Sequence, residues 1–201
     1  MSTRRALLAL AASVVVGATA AASASAATVT LSGPTDLHAC WIENVDGASG
    51  CGLALSGVSH YQEFRGLYRF DVAGNVPATA TVTSATLRLP KLGLPGGTAC
   101  GLNLWGIGQG ADWLSTTPTW ASPDGGTTSW NGGISTWLPS TVFLESGCDS
   151  TTALFDLTDL VQDWHSGALA NYGFELFKPS AYAYGTTTAS GAIQLVVNYT
   201  P

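Results

Sequence analysis

FDLTDLVQDWHSGALANYGFELF, the stretch from Phe155 to Phe177, decides the fold of this chain. Asp156 or Thr158 can accept hydrogen bonds from the free N–H groups at the start of a helix. Apolar residues then recur at helical spacing, which predicts a short helix with one buried face; they are Leu157, Leu160, Val161 and Trp164. Gly167 stands where a left-handed residue ends a helix. Because the strand-like run YGFELF follows, the segment predicts a helix set between two strands.

Short strands separated by turns account for most of the chain after residue 26. Phe64 to Val72 alternates apolar with charged residues, which is the period of a half-buried strand. Thr81 to Leu89 changes its apolar phase midway, which predicts a β-bulge near Ser84. Turn sequences such as Gly74-Asn75 separate the strands. Further strand-like runs are 27–31, 102–107, 142–145, 153–157, 173–177 and 193–199. This pattern predicts an all-β protein, an antiparallel jelly-roll β-sandwich with one short helix near the C-terminus.

The first 26 residues have the pattern of a secretory signal peptide. Arg4 and Arg5 precede an apolar run of small residues, and Ala24-Ser25-Ala26 offers a cleavage site. No later stretch approaches the roughly 20 apolar residues that a spanning helix requires. We therefore expect residues 27–201 to form one exported domain, secreted and extracellular or associated with the cell envelope, without membrane insertion.

The exported part is strongly acidic. The whole chain has 7 basic and 13 acidic residues, and two of the basic ones lie in the leader, which leaves a formal charge of −8 after residue 26. Nucleic acids are excluded as partners, because their binding depends on cationic contacts to phosphate.

All four cysteines lie in the exported part, and an even number in an oxidising compartment predicts two disulfides. Three pairings are possible. Cys40–Cys51 and Cys100–Cys148 are favoured, because each pair brackets a stretch rich in Gly, Ser and Thr. A zinc site is the alternative, which the lack of a CxxC ligand pair and of a nearby histidine disfavours.

Three sets of motifs resemble the DNRLRE domain, a family also classed with carbohydrate-binding module family 96. RGLYRFDV at 65–72 and VTSATLRL at 82–89 are similar to its pair of arginine-flanked strands. Asp112-Trp113 with Pro118-Thr119-Trp120 is similar to its tryptophan element. Its hallmark is resembled most closely, at Asp156, Thr158, Val161, Gln162, Trp164, Asn171, Tyr172, Gly173 and Phe174. The resemblance implies a secreted β-sandwich module without catalytic residues, whose relatives bind acidic polysaccharides such as alginate.

Aromatic residues are the first candidates for ligand binding. Trp130 and Trp137 flank a Gly-rich loop, and Tyr182 and Tyr184 lie two apart on a later connection. Flat aromatic faces can stack on the C–H groups of sugar rings, and the alternative is that these rings only pin the loops. The tryptophans inside the family-like motifs are expected in the core; they are Trp113, Trp120 and Trp164.

Charged residues on one predicted strand face are the second candidates. Arg65 and Arg69 could offer paired donors to a carboxylate or sulfate of a ligand. Alternatively, they form an exposed ion-pair ladder with Asp71, which contributes less than about 1 kcal/mol.

Calcium is the one cofactor for which the sequence offers ligands. Asp36, Glu43 and Asp46 could supply the oxygen ligands of a structural calcium ion, although the spacing of an EF-hand is missing. No other cofactor is predicted.

Catalytic motifs are missing from the sequence. It contains neither a G-x-S-x-G elbow nor an HExxH pair. The three histidines, His38, His60 and His165, are scattered, and the acids of the predicted helix should be solvated. The interpretation is therefore a non-catalytic module that binds polysaccharide or cell-wall glycan. The alternative is a structural or adhesive surface protein that associates through an exposed edge strand such as Ile193 to Tyr199. The identity of the glycan and the oligomeric state stay open.

Overall fold

The protein is mostly β-structure. The computed structural model describes residues 25–43, 49–52, 56–58, 64–90, 103–107, 113, 117–119, 121–122, 143–145, 147–148, 152–177, 184–186 and 193–201. Its strands are β1 (Ala27–Leu31), β2 (Leu37–Glu43), β3 (Ser49–Cys51), β4 (Ser56–Val58), β5 (Phe64–Phe70), β6 (Thr81–Pro90), β7 (Asn103–Gly106), β8 (Phe143–Glu145), β9 (Gly147–Cys148), β10 (Thr152–Asp156), β11 (Phe174–Phe177), β12 (Tyr184–Thr186) and β13 (Gln194–Thr200). The helices among the described residues are α1 (Val72–Asn75) and α2 (Thr158–Ser166). The all-β class is therefore confirmed.

Two antiparallel sheets pack face to face. The first sheet has five strands in the order β1-β13-β6-β10-β9, and the second has six in the order β3-β2-β5-β11-β7-β8. A small pair, β12-β4, forms a third sheet, and its strand β4 contacts β5 and β2 of the second sheet. Both larger sheets contribute to one buried cluster, including Leu31, Leu87 and Leu195 from the first and Tyr68, Phe70 and Phe174 from the second. Alternate residues of each strand therefore face this shared core.

A bulge lies in β6 where the sequence predicts one. Asn198 of β13 pairs with Ser84, but the next residue, Tyr199, pairs with Val82, so Thr83 is the extra residue. Because one residue is inserted, the side-chain phase of β6 switches. Val82 and Ala85 are consequently both buried although they lie three positions apart.

Helix α2 ends as its sequence predicts, and Asp156 binds its first N–H group from the position before the N-cap residue, Leu157. The Asp156 carboxylate accepts hydrogen bonds from the backbone N–H of Thr158 at 3.0 Å and from its hydroxyl at 2.6 Å. Gly167 ends the helix in the left-handed region, with φ 76°. The predicted apolar face is buried, at Leu157, Leu160, Val161 and Trp164. Since β11, β12 and β13 follow it, the helix lies within the chain of strands rather than at its end.

Side chains of α2 bind backbone groups on both sides of the β6 bulge. Gln162 donates to the carbonyl of Val82 at 2.9 Å, and the Thr158 hydroxyl accepts from the N–H of Ala85 at 3.0 Å. A bulge removes backbone groups from the sheet ladder, and such groups need partners when they are not exposed. The helix therefore stabilises the irregular part of the first sheet.

The end of β5 differs from the prediction. The strand stops at Phe70, and Asp71 accepts a hydrogen bond from the N–H of Gly74 at 3.1 Å, which caps α1. Gly74 and Asn75 therefore lie in a helical turn, and Asp71 is not part of a ladder with the arginines of β5. The cause is local, because an aspartate three residues before a Gly-Asn pair competes for the backbone as a helix cap.

The expected edge strand is internal. β13 lies between β1 and β6, so Leu195 to Tyr199 of the predicted edge run from Ile193 to Tyr199 are paired on both sides. The edges of the first sheet are instead β1 and β9. Within the described residues, neither helix has the length and apolar composition needed to cross a membrane.

Two left-handed glycines allow a matched test of the fold. Gly167 has open space where a Cβ would stand, whereas a Cβ on Gly173 would collide with the backbone carbonyl of Tyr68. Gly167→Ala should lower the free energy of unfolding by about 1 kcal/mol, the cost of a left-handed alanine. Gly173→Ala should cost about 1–3 kcal/mol more, because it also overpacks the β5–β11 contact. Urea unfolding of both variants measures the difference, and equal losses would contradict the packing of β11 on β5.

Asp156→Ala tests the start of α2. Its loss should lower the free energy of unfolding by about 1 kcal/mol near neutral pH. The hydrogen bonds from Thr158 lower the pKa of Asp156, so the ionised carboxylate stabilises the fold above the ordinary aspartate pKa. This contribution is lost as the pH falls through the lowered pKa. The gap between wild type and variant should therefore shrink on acidification. Asp156→Asn is the control, because it keeps an acceptor but does not titrate, and a pH-independent gap for Asp156→Ala would refute the assignment.

Candidate functional site

The outer face of the second sheet carries most of the chemically distinctive side chains. Cys40 of β2 lies opposite Leu67 of β5, Leu67 lies opposite Glu175 of β11, and Glu175 lies opposite Trp105 of β7. Directly opposed residues project to the same side of a sheet. These four residues therefore share one side of the sheet; Cys40 and Leu67 belong to a cluster separate from the main core, whereas Trp105 also packs against the main core.

A second, smaller apolar cluster covers this outer face. It consists of Cys40, Ile42, Leu67, Ile107 and Trp113, with Tyr172 packed against it. Trp113 is fully buried, and its indole N–H donates to the carbonyl of Tyr172 at 3.0 Å. The prediction that Trp113 and Trp164 are core residues is confirmed. The second sheet is thus buried on both faces.

A buried ion pair lies beside this cluster. Arg65 Nη1 is 2.7 Å from Glu175 Oε1, and the two side chains are 8% and 0% exposed. The Arg65 guanidinium also lies over the Trp105 ring, 5.8 Å from its centroid. The expectation of an exposed ion-pair ladder is therefore wrong for Arg65. The reason is tertiary: a second apolar cluster covers the face that the alternation of β5 marks as polar.

Arg69 holds the loop that follows α2. Its Nε donates to the carbonyl of Asn171 at 2.9 Å. The Asn171 amide donates to the carbonyl of Phe70 at 2.9 Å and accepts from the N–H of Gly173 at 3.1 Å. Arg69 and Asn171 together fix the entry into β11. Arg65 and Arg69 are thus both engaged within the fold, on the same face of β5.

A disulfide and a histidine lie at the other end of this face. Cys40 and Cys51 are directly opposed on β2 and β3, and they form the predicted disulfide. His38 projects to the same side two residues before Cys40, and its Nε2 is 3.5 Å from the Cys40 sulfur. The His38 ring packs on Trp113 with centroids 5.1 Å apart. His38 is therefore not an isolated histidine, and the sequence analysis missed this pairing.

The surroundings of His38 favour its neutral form. Burial lowers the pKa of His38, a hydrogen bond with the backbone of Trp113 partly opposes this, and the Arg69 charge lowers the pKa further. Arg69 is the residue directly opposite His38 on β5. The neutral imidazole has one ring nitrogen with a lone pair and one N–H donor, and it carries no charge.

Most of the predicted aromatic ligand residues lie outside the described residues. These are Trp130, Trp137 and Tyr182, and Trp120 lies outside them as well. Tyr184 begins β12, where it pairs with Val58. Their role in binding stays a prediction.

Only some of the residues predicted to bind calcium or to form the second disulfide lie within the described residues. The Asp36 carboxylate accepts from the N–H of Ser32 at 3.2 Å, so it closes the turn between β1 and β2. Glu43 ends β2 opposite Phe64, and Asp46 lies outside the described residues. Cys148 ends β9 opposite Ala153, and Cys100 lies outside the described residues. A calcium site and the Cys100–Cys148 pairing therefore stay predictions.

Comparison with known proteins adds no relative. None of the protein-family models that were compared with the chain matches it, and none of the curated proteins does. The similarity to the DNRLRE domain thus rests on the motifs of the sequence.

The ion pair gives a test of the outer face. Arg65→Met or Glu175→Met alone should lower the free energy of unfolding by about 3–5 kcal/mol, because each leaves a buried charge without its counter-charge. The double variant Arg65→Met/Glu175→Met should lose far less, since two apolar side chains replace the pair. A double-mutant cycle by urea unfolding measures this coupling. Single losses below about 1 kcal/mol, as for exposed pairs, would show that the pair is not buried.

Proposed function

We propose that the protein is a secreted, non-catalytic module of the DNRLRE type, a jelly-roll β-sandwich that binds polysaccharide of the cell envelope or the extracellular space. Two features support export. The first 26 residues have the pattern of a signal peptide, and the Cys40–Cys51 disulfide fits an oxidising compartment.

The observation that carries the proposal is the role of the hallmark residues. Asp156 binds the first turn of α2, Gln162 binds β6, and Asn171 binds the end of β5. Trp164 is buried in the main core. The residues of this motif hold the start of a helix, bind strands through hydrogen bonds or fill the core. Such roles specify a fold rather than a reaction. This is what a binding module of that family requires.

Two acidic side chains, Glu175 and Asp156, make contacts within the fold, and this supports a non-catalytic role. A glycosidase uses two carboxyl groups on either side of the scissile bond, one of them with a raised pKa. Within the described residues, Glu175 is held by Arg65, and hydrogen bonding lowers the pKa of Asp156. Both carboxylates are thus committed to the fold.

Binding by aromatic stacking is the mechanism that the residues favour. Trp105 is half-buried on a strand of the second sheet and lies next to the fixed charge of Arg65. Trp130, Trp137, Tyr182 and Tyr184 are the aromatic residues that we assign to the sugar. Arg65 and Arg69 support the site by holding the sheet and its loop. The formal charge of −8 favours a neutral glycan over a polyuronate.

A structural or adhesive role is the second candidate. β1 is an edge of the first sheet, and its outward residues Thr28 and Thr30 are exposed. Exposed edge strands can pair with another chain. Such a protein would act by self-association or by binding another protein.

Retention on polysaccharides tests the proposal. The purified chain is passed over insoluble and immobilised polymers, including peptidoglycan, neutral glucans and polyuronates. We expect retention on one polymer and displacement by its soluble fragments. Trp130→Ala or Tyr184→Ala should abolish retention without lowering the melting temperature, because stacking surface is lost but the core is not.

Tyr199→Ala is the control, since it removes an aromatic ring from β13 of the first sheet, which is not among the residues assigned to the sugar, and should leave retention intact. Failure to bind any of the polymers would overturn the proposal. Oligomers that grow with concentration and ignore added sugar would favour the adhesive role instead.

A further inference from the structure

Three potential metal ligands meet where β2 pairs with β3. The ligand atoms of His38, Cys40 and Cys51 all lie within 4.8 Å of one another. His38 and Cys40 are two residues apart on β2, so their side chains share a face of the sheet. Cys51 lies opposite Cys40 on the neighbouring strand β3. One imidazole and two sulfurs form a donor set that suits zinc.

The spacing of the histidine and its neighbouring sulfur matches that of a metal site. Zn–S and Zn–N bonds of about 2.3 and 2.0–2.1 Å at a tetrahedral angle put sulfur and nitrogen about 3.6 Å apart and two sulfurs about 3.8 Å apart. The observed distance from His38 Nε2 to Cys40 Sγ is 3.5 Å. Once the S–S bond is broken, only Cys51 has to move. It is exposed and belongs to a three-residue edge strand, so it is the least constrained of the three.

The histidine is held in place by its surroundings. Its ring packs on the buried Trp113 and hydrogen-bonds to the backbone of that residue. Trp113 is fixed in turn by its bond to Tyr172. A second hydrogen bond of this kind orients the ring of a metal-binding histidine. Nε2 is the ring nitrogen that faces the sulfur.

We propose that reduction of the Cys40–Cys51 disulfide turns this corner of the second sheet into a zinc-binding site made of Cys40, Cys51 and His38. A dithiol reductant transfers two electrons and two protons, so that the protein gains two thiols and the reductant becomes a disulfide. Binding of Zn²⁺ then releases the two thiol protons. Three protein ligands leave the fourth position of a tetrahedral zinc ion to a water molecule or an external ligand.

The local charge is compatible with such a site. Arg69, opposite His38, would repel a bare dication. Two thiolates cancel the charge of Zn²⁺, so the complete site is neutral beside this arginine. The disulfide form offers no thiolate, and zinc binding is therefore confined to the reduced protein.

Metal titration of the full chain tests the inference. Zinc affinity is measured by competition with a chromophoric chelator, before and after reduction by a water-soluble phosphine, which is itself oxidised to the phosphine oxide with oxygen from water. Cobalt(II) serves as the spectroscopic probe, because its d–d absorption distinguishes tetrahedral thiolate coordination. The proteins compared are wild type, His38→Ala and Cys51→Ser. His165→Ala is the control, since it removes a histidine of α2 that bonds to Ala80.

The reduced wild type and His165→Ala should bind zinc equally, and the oxidised wild type should not bind it at this site. His38→Ala and Cys51→Ser should each weaken binding at least roughly 10- to 100-fold, the loss that even an outer-shell partner causes. Equal affinity in reduced wild type and His38→Ala would overturn the proposal. A reduced chain that has unfolded would give the same result, because in an unfolded chain neither His38 nor His165 has a fixed position beside the cysteines. Equal binding by the oxidised protein would overturn it as well.

Discussion

Burial of the six-stranded sheet on both faces is the constraint on which the rest of the structure depends. Its inner face packs on the first sheet, and its outer face packs beneath Trp113. A strand in such a position cannot leave a charge without a partner, because desolvation of an isolated ion costs several kcal/mol. Arg65 and Glu175 therefore form a pair across β5 and β11. The same burial favours the neutral form of His38.

The segment from Phe155 to Phe177 connects the two sheets. It leaves the first sheet as β10, forms α2 over the bulge of β6, and enters the second sheet as β11. Gln162 binds the first sheet and Asn171 binds the second. One contact satisfies a backbone group at the end of β5 and the other at the irregular point of β6, so the segment stabilises both places.

Features that depend on local periodicity were predictable from the sequence. The helix, its glycine stop and the bulge near Ser84 all follow from spacing, and the structure confirms them. Strand β2, by contrast, is buried on both faces, so its sequence LHACWIE shows no alternation that would mark it. The burial of Arg65 depends on residues distant in sequence, which alternation cannot reveal. The pairing of His38 with Cys40 does have a local signal, since an H-x-C triplet on a strand puts both side chains on one face. A search for CxxC spacing overlooks it.

The disulfide lies outside the main core, so its structural role differs from that of the core. The main core contains side chains from both sheets and does not include either cysteine. Cys40 belongs to the small outer cluster, and Cys51 lies on the exposed edge strand β3. The bond therefore attaches an edge strand to a sheet that is already held by its inner face. Opening it should release β3 while β2 stays paired with β5 along seven residues. Because stability is not uniform across a fold, this corner can change its covalent state without loss of the sandwich. His38 and Cys40 both lie on the retained strand, so two of the three proposed ligands keep their relative positions when the third is freed.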